Sequence, residues 1–310
     1  MNNLNTKNNK LNFIFFGTDD FSVNVLNELR ESGFIPKVLV TAPDRPAGRG
    51  QKMQKSEAKI WAEEINISND FKIEILQPEK LDDDFVTEIS KQEWDFFVTA
   101  SYGKIISQKV LDVAQKGAFN VHPSLLPLYR GASPIESAIL DDNKETGVTI
   151  MLMDEKMDHG PILNQEVVYF EEWPTKLEVE GKLAKIGGQL LCETINLFLN
   201  GEIEEQEQDH STTTFTKKIT KEMGQIDLSD LEKSFNDEKL ARKIFVKIQA
   251  LNPWPGVFYF FKNKDKETRV KIKSASWDNN SNEVKIKIGR VLPEGKKEMD
   301  YEDFLRGYNK

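Results

Sequence analysis

Short apolar runs alternate with helical patterns along the first two thirds of the chain, and this alternation constrains the fold more than any other feature. Residues 11–16 are almost wholly apolar, which is typical of a strand buried on both faces of a sheet. Phe21, Val25 and Leu29 then recur at helical spacing, and residues 37–41 form a second apolar run. Because strand, helix and strand in this order make a right-handed β-α-β unit, we expect an α/β fold with a mostly parallel sheet.

The alternation continues to about residue 200 and then changes in character. Further strands are predicted at 72–76, 96–99, 118–122, 147–153 and 162–170, and further helices at 56–65, 82–90, 107–114, 135–140 and 177–199. Beyond them, residues 238–251 form an amphipathic helical pattern. Short strands at 257–261, 268–274 and 283–288, with lysines alternating against apolar residues, predict a small barrel with a basic outer face.

The stretch 202–214 separates these two parts. It is acidic, then threonine-rich, and has no apolar pattern, so we predict a linker there. We therefore expect a disordered tail at 1–10, a first domain at 11–201 and a second domain at 215–310.

Cysteine usage and the N-terminal sequence indicate a compartment. Cys192 is the only cysteine, which excludes an internal disulfide and a cysteine-ligated zinc cluster and fits a reducing environment. The first ten residues are polar, without the apolar core of a signal peptide, and no apolar run is long enough to span a bilayer. We expect a cytoplasmic protein with no membrane partner.

The net charge of −9 argues at first against a nucleic-acid partner, but the charge is unevenly spread. Residues 211–310 hold 21 Lys and Arg against 15 Asp and Glu, a net of +6, whereas residues 1–210 carry −15. The C-terminal part therefore has either a basic face for a polyanion or lysines that only solvate a small β domain.

The stretch 117–134 carries the polar residues that look most like a site. Along an extended strand, Asn120 and His122 project on the same side, and Pro123 ends the strand directly after them. In open parallel α/β sheets this carboxyl edge is where ligands bind. The alternative is a histidine that is hydrogen-bonded for structural reasons only.

Other polar residues follow neighbouring strands. Asp154 and Asp158 come after the strand at 147–153, and a carboxylate there can reach a histidine at the next strand edge to fix its tautomer. The glycine-containing turn at 101–104 closes a strand at the same edge. His159 lies beside Asp158, which suggests a metal site. The chain has only three histidines, however, and none of them shows a spacing typical of metal ligands, so we predict no metal.

A basic stretch at 43–53 follows the second strand and is predicted to be a loop. It combines two prolines and two glycines with Arg45, Arg49 and Lys52, and arginine forks suit phosphates and base edges. The alternative is a solvated connector. Arg130 and Gly131 form a second cationic turn.

Taken together, the motifs resemble the methionyl-tRNA formyltransferase family over nearly the whole chain. The resemblance rests on FFGTDDF at 15–21, PDRPAGRG at 43–50, NVHPSLLPLYRGASPI at 120–135, ETGVTIMLMDEKMDHGPIL at 145–163, NPWPG at 252–256 and PEGKKEMDYEDFLRG at 293–307. It implies a Rossmann-like formyltransferase domain followed by an OB-like domain. It also implies transfer of a formyl group from 10-formyltetrahydrofolate to the amine of initiator methionyl-tRNA, by a monomer without a metal.

The resemblance also assigns roles to residues. It implies that Asn120 donates to the oxyanion, that His122 carries a proton as a base or as a cationic donor, and that Asp158 orients the imidazole. The implied folate contacts are Ser101, Tyr102, Gly103, Lys104, Ser124, Leu125, Leu126 and Pro127, and the implied tRNA contacts are Arg45, Arg49, Lys52 and Arg130.

Three substitutions and one shortening depart from the family pattern. Asp19 replaces a usual proline, Lys156 a glycine and His159 a threonine, and none of these removes a catalytic group. About one β-hairpin is missing between Val270 and Pro293, which leaves open whether the barrel is complete. The alternatives are an N-formyltransferase for an amino sugar nucleotide or another small amine, and a noncatalytic RNA-binding Rossmann protein.

Overall fold

The computed structural model describes residues 11–47, 50–68, 72–263, 266–278 and 285–308. The chain divides into two compact units. Unit 1 consists of the described residues of Met1–Ala132, Thr146–Val168 and Glu180–Phe215. Unit 2 consists of those of Ser133–Glu145, Tyr169–Val179 and Thr216–Lys310.

The first 200 residues hold nine strands and six helices among the described positions. The strands are β1 (Phe13–Gly17), β2 (Val38–Val40), β3 (Arg45–Ala47), β4 (Lys52–Gln54), β5 (Glu74–Leu76), β6 (Phe96–Ala100), β7 (Ala118–His122), β8 (Glu145–Leu152) and β9 (Ile162–Tyr169). The helices are α1 (Asp20–Glu31), α2 (Glu57–Ser68), α3 (Asp83–Ile89), α4 (Gln108–Leu111), α5 (Pro134–Leu140) and α6 (Lys176–Asn200).

The rest of the described chain is β-rich. Its helices are α7 (Leu228–Ser234), α8 (Glu238–Leu251) and α9 (Tyr301–Tyr308), and its strands are β10 (Val257–Asn263), β11 (Lys266–Ile272), β12 (Ala275–Trp277), β13 (Ile286–Ile288), β14 (Arg290–Pro293) and β15 (Met299–Asp300). Of the helices described, none combines the length and the hydropathy that crossing a bilayer requires.

A seven-stranded sheet with the order β5-β2-β1-β6-β7-β8-β9 forms the centre of unit 1. The first five strands in this order pair in parallel, and β8 pairs with β7 in antiparallel. All residues of β1, β6 and β7 are buried, because strands covered on both faces have no solvated side. The structure therefore confirms the mostly parallel, Rossmann-like sheet.

The strand order reverses between β1 and β6, and the carboxyl ends of β1, β6 and β7 meet there. Ser22 fixes this edge, because its hydroxyl donates to the Ala100 carbonyl at 2.7 Å. A Cβ on Gly17 would lie 2.7 Å from that side chain, so only glycine fits at the end of β1. Asp19 then caps α1 by accepting from the Ser22 backbone N–H at 3.3 Å.

Unit 2 is a small β-rich body in which α5 packs against α8. Its strands form a four-stranded sheet, β10-β11-β14-β15, and a two-stranded sheet, β12-β13. Gly289 lies between β13 and β14, where a Cβ would come within 2.6 Å of the Ser274 hydroxyl. These strands confirm a small β-rich C-terminal part, whereas its closure into a barrel stays a prediction.

The structure differs from the predicted elements in several places. The basic stretch is not an irregular loop throughout, because β3 and β4 pair as an antiparallel hairpin. All three residues of β4 are exposed, so this strand lacks the apolar alternation by which a strand is recognised in a sequence. Also, α4 is shorter than predicted, and α7, β12, β14, β15 and α9 were not predicted.

The residues predicted as a linker belong to unit 1. Gln206 pairs with Ile162 through two backbone hydrogen bonds, and Gln208 is buried. Unit 2 also takes in 133–145 and 169–179, which lie within the predicted first domain. The domain boundaries proposed from the sequence stay a prediction. The predicted disordered tail at 1–10 lies outside the described residues.

Candidate active site

Strand β7 brings Asn120 and His122 to the carboxyl edge of the sheet, as the sequence predicts. Both side chains are on the same face of the strand, and their residues are 8% and 5% exposed. Thr99 of β6 pairs in register with Asn120 and therefore shares that face. Its Oγ1 is buried and, among the described residues, has no hydrogen-bond partner. The edge thus combines an amide, an imidazole and an unsatisfied hydroxyl.

His122 lies between a carbonyl and a carboxylate. Its Nε2 is 3.1 Å from the Tyr129 carbonyl oxygen, and its Nδ1 is 3.7 Å from Oδ1 of Asp158. The other carboxylate oxygen of Asp158 accepts the backbone N–H of Gly131 at 2.8 Å. The loop after β8 therefore brings Asp158 to His122, as the sequence predicts.

The hydrogen bond at Nε2 fixes the tautomer of His122. A carbonyl oxygen can only accept, so Nε2 carries a proton and donates it to Tyr129. Nδ1 is then the nitrogen that can gain or lose a proton, and it faces the Asp158 carboxylate. This geometry supports proton transfer at Nδ1. The alternative interpretation was a histidine with a purely structural hydrogen bond. His122 has such a bond at Nε2, but its Nδ1 is still available for proton transfer.

The turn at 101–104 lies at the same edge, directly after β6. Ser101 has a φ of 49° and Gly103 a φ of 78°, so the backbone turns sharply there. The Ser101 hydroxyl donates to the Asp19 carboxylate at 2.5 Å, and Lys104 donates to the Pro78 carbonyl at 2.7 Å. Tyr102 is buried, and this burial raises the pKa of its phenol to about 12. Ser101 is exposed and Lys104 is partly exposed, so their side chains are the ones in this turn that solvent can reach.

The four residues after Pro123 differ in exposure. Ser124 is fully buried and its hydroxyl donates to the Leu128 carbonyl at 2.7 Å. Leu126 is 3% exposed and clusters with buried apolar side chains. Leu125 and Pro127 are partly exposed. Ser124 and Leu126 thus shape this loop from within, and Leu125 and Pro127 form its accessible part.

Arg130 is buried, although the sequence places it among the tRNA contacts. It is 3% exposed, and its guanidinium donates to Oε1 of Gln208 at 2.6 Å and to Nδ1 of His210 at 2.9 Å. Burial lowers the pKa of Arg130, while the charges of Asp158 and Asp154 oppose that shift. Its placement suits a role inside the site rather than at the surface.

Sequence reasoning missed Gln208 and His210. The Gln208 amide donates to the backbone carbonyls of Asp158 and Gly160 at 3.0 and 2.8 Å. The His210 ring stacks on His159 with a centroid distance of 4.2 Å, and Nδ1 of His159 lies 2.6 Å from Asp154. A polar stretch without periodicity fits a solvated linker as well as a hydrogen-bonding segment, so the sequence holds no signal that separates them.

Two of the other three predicted tRNA contacts, Arg45 and Lys52, lie on strands β3 and β4. Arg45 and Lys52 are exposed, and Arg45 forms a surface ion pair with Glu79 at 2.9 Å. Arg49 lies outside the described residues. The structure therefore brings Asn120, His122 and Asp158 to the same sheet edge as the turn at 101–104. Of the predicted tRNA contacts, Arg130 is buried beside this site, whereas Arg45 is exposed on β3.

No group of three or more His, Cys, Asp or Glu side chains that could hold a metal occurs among the residues that the structure describes.

The sequence matches two family models. The N-terminal model, described as formyl transferase, matches residues 9–195. The model of the formyl transferase C-terminal domain matches residues 218–292. A methionyl-tRNA formyltransferase from Natranaerobius thermophilus is 37% identical over 317 aligned positions, which cover 96% of this chain and 96% of that relative.

Two solved structures have the same fold. A methionyl-tRNA formyltransferase from Clostridium thermocellum gives a TM-score of 0.56 at 17% identity and covers 90% of this chain and 98% of that chain. HypX from Aquifex aeolicus, solved in complex with tetrahydrofolic acid, gives a TM-score of 0.61 at 14% identity and covers 96% of this chain and 47% of that one. At these identities the likeness supports the fold alone. The two family models and the full-length relative, however, show that this chain belongs to the formyl transferase family.

Proposed function

We propose that this protein transfers the formyl group of 10-formyltetrahydrofolate to the amino group of initiator methionyl-tRNA. The observation that carries the proposal is the convergence of Asn120, His122 and Asp158 at one sheet edge, in a chain of which 96% aligns with a methionyl-tRNA formyltransferase. We further propose that it acts in the cytoplasm and as a monomer.

Each of the three side chains has a distinct role in this proposal. When bound, the folate donor supplies an activated formyl carbon. Asn120 donates an amide N–H to the oxygen on which negative charge develops, and a fixed donor of this kind is typically worth about 3 kcal/mol. His122 holds or moves the proton at Nδ1, since Nε2 is bonded to Tyr129. Asp158 faces Nδ1 and orients the ring.

The residues of this edge fit a folate donor. The Thr99 hydroxyl lacks a partner among the described residues, and a buried hydroxyl in that state is costly unless a ligand or water satisfies it. A Cβ on Gly103 would meet nothing within 4 Å, so the turn leaves open space. We propose that Ser101, Gly103 and Lys104 contact the folate directly, together with Leu125 and Pro127. The buried residues Tyr102, Ser124 and Leu126 support that surface.

We propose that the β3-β4 hairpin contacts the tRNA. Arg45 and Lys52 are exposed there, and Arg49 is placed between them by the sequence. Phosphate contacts make affinity depend on salt, with a slope that falls by about 1 for each contact removed. Arg45→Ala and Lys52→Ala should therefore weaken tRNA binding uniformly and reduce that slope, whereas the exposed control Lys91→Ala should change neither.

The test is a formylation assay with 10-formyltetrahydrofolate and four acceptors: charged initiator tRNA, charged elongator tRNA, an amino sugar nucleotide and glycinamide ribonucleotide. We expect rapid transfer to the initiator tRNA alone. Rapid transfer to either small amine, with no product on the initiator tRNA, would contradict the proposal and favour a small-molecule N-formyltransferase.

A further inference from the structure

We propose that Gln208 is a positioning residue for the transfer, acting with the rest of the segment 208–214 on two loops, one at 129–131 that contacts His122 and one that carries Asp158. Gln208 is 5% exposed, and both ends of its amide are engaged. Oε1 accepts from Nε and Nη2 of Arg130 at 3.1 and 2.6 Å. Nε2 donates to the carbonyls of Asp158 and Gly160. One side chain thus links the turn at 130 to the loop at 158–160.

The same segment holds the first of these loops a second time, through Thr214. The backbone N–H of Tyr129 donates to the Thr214 hydroxyl at 2.7 Å. The backbone N–H of Arg130 donates to the Thr214 carbonyl at 2.9 Å. The Tyr129 carbonyl is the group that accepts from His122, and the next N–H along, at Gly131, binds Asp158. The segment 208–214 therefore anchors the backbone groups that orient the imidazole and the carboxylate.

Both anchored loops contain a non-glycine residue in the left-handed region, Tyr129 with a φ of 59° and Asp158 with a φ of 51°. Such conformations persist only where the surroundings determine them, and they concentrate at functional sites. The Asp158 carbonyl accepts from Gln208 while its carboxylate binds Gly131 and faces His122. Gln208 therefore acts on the backbone of Asp158 itself and sets the distance between Nδ1 of His122 and the carboxylate.

Arg130 is suited to this arrangement because neutral acceptors hold it. A guanidinium has donors only, so Nδ1 of His210 must be unprotonated where it receives Nη2 of Arg130. Gln208 supplies the second neutral acceptor. The Asp158 carboxylate thereby keeps its oxygens for Gly131 and His122.

The test compares Gln208→Met with Gln206→Met in the formylation assay. Gln206 is the same residue type two positions away, its side chain is exposed, and it pairs with Ile162 through its backbone. We expect Gln208→Met to lower kcat about 10- to 100-fold, because sub-ångström displacement of a reacting group costs up to about 100-fold. The KM values for donor and tRNA should change by less than about threefold. Gln206→Met should match the wild type.

A second variant covers the case in which Gln208→Met fails to fold. Gln208→Glu keeps an oxygen for Arg130 but replaces the donor to the Asp158 and Gly160 carbonyls, so it should fold and still lose about 10-fold or more in kcat. Folding is checked by the thermal midpoint. In an Asp158→Asn background, either change should cost less than about threefold, because the effect passes through Asp158.

Three results would overturn the inference: kcat within twofold of wild type in Gln208→Glu, an equal loss in the Asp158→Asn background, or a loss confined to KM. The inference rests on the proposed function, and the two fail differently. If wild-type protein does not formylate initiator methionyl-tRNA, the proposed function fails. If wild-type protein is active and Gln208→Glu is equally active, only the role of Gln208 fails.

Discussion

Arg130 in unit 1 and Arg242 in unit 2 are both largely buried, but they are held by partners of different charge. Arg130 donates to the amide of Gln208 and the imidazole of His210. Arg242 donates twice to the Asp142 carboxylate, at 2.7 and 2.6 Å, and once to Glu172 at 2.7 Å. Its guanidinium also lies 5.0 Å from the ring centre of Trp277.

The two pKa shifts follow from these partners. Burial lowers the pKa of Arg130, and the charges of Asp158 and Asp154 only moderate that shift. Burial also acts to lower the pKa of Arg242, but hydrogen bonds to Asp142 and Glu172 outweigh it and raise that pKa. Two carboxylates accept from the arginine of unit 2, whereas an amide and an imidazole accept from the arginine of the site. Removing the charged partner of a buried carboxylate is strongly destabilising.

The largest effect is expected on activity, when Asn120 is changed at the candidate active site of unit 1. Asn120→Ala should lower kcat about 100- to 1,000-fold, because it deletes the proposed donor to the developing oxyanion. The free energy of unfolding should change by only about 1 kcal/mol, because a small polar side chain is shortened at the edge of the sheet. Single-turnover formylation and denaturant unfolding measure the two quantities. Asn24→Ala on α1 is the control, and a normal single-turnover rate in Asn120→Ala would remove it from the chemistry.

The next largest effect is expected on stability, when Arg242 of unit 2 is removed from its carboxylate partners. Arg242→Met should lower the free energy of unfolding by about 3 kcal/mol, because Asp142 and Glu172 are mostly buried and keep only Lys144 as a charged partner. The kcat of the folded protein should stay near that of wild type. Arg290→Met is the matched control, since Arg290 also pairs with two carboxylates, Glu298 and Asp300, but at 42% side-chain exposure. There the loss should be much smaller, because water screens an exposed ion pair, and equal losses in both variants would refute the contrast.

A smaller effect should appear with pH around Arg242. Burial acts to raise the pKa values of Asp142 and Glu172, but hydrogen bonds from Arg242 and Lys144 outweigh it and hold both pKa values below their ordinary range. Groups with lowered folded pKa values stabilise the fold above their unfolded pKa values, and this stability is lost as pH falls through the folded ones.

Unfolding titrations between about pH 6 and pH 3 test this linkage. Stability should decline from just above the ordinary pKa values downward, and Arg242→Met should show a flatter decline than wild type. Parallel curves for the two proteins would show that the carboxylates are not stabilised by Arg242.

The smallest effect sharpens the contrast at the site. Asp19 is another carboxylate held by neutral donors, the Ser101 hydroxyl and the Ser22 hydroxyl and N–H. Asp19→Ala should raise the KM for the folate donor by about fivefold, which corresponds to one hydrogen bond of about 1 kcal/mol, because the turn at 101–104 loses its anchor. The exposed neighbour Asp20→Ala is the control. An unchanged KM would separate this turn from donor binding.

Much of the fold was accessible from the sequence because apolar burial leaves a periodic trace. The wholly apolar run of β1 and the helical spacing of α1 predicted the parallel sheet, and the alternation along β7 placed Asn120 and His122 on one face. Motifs along the chain indicated the family that full-length comparison then showed. These features depend on local order along the chain and on side-chain type, which the sequence states directly.

Tertiary structure alone decided where the polar groups find their partners. From the sequence, Arg130 was part of a cationic turn and 202–214 a predicted linker. In the structure Arg130 is buried, and Gln208 binds both Arg130 and the loop of Asp158. The hairpin β3-β4 was not predicted either, because the exposed residues of β4 show no apolar alternation. A hydrogen bond joins groups that are distant in sequence and imposes no repeating pattern on either segment, so its partner becomes visible only when the chain is folded.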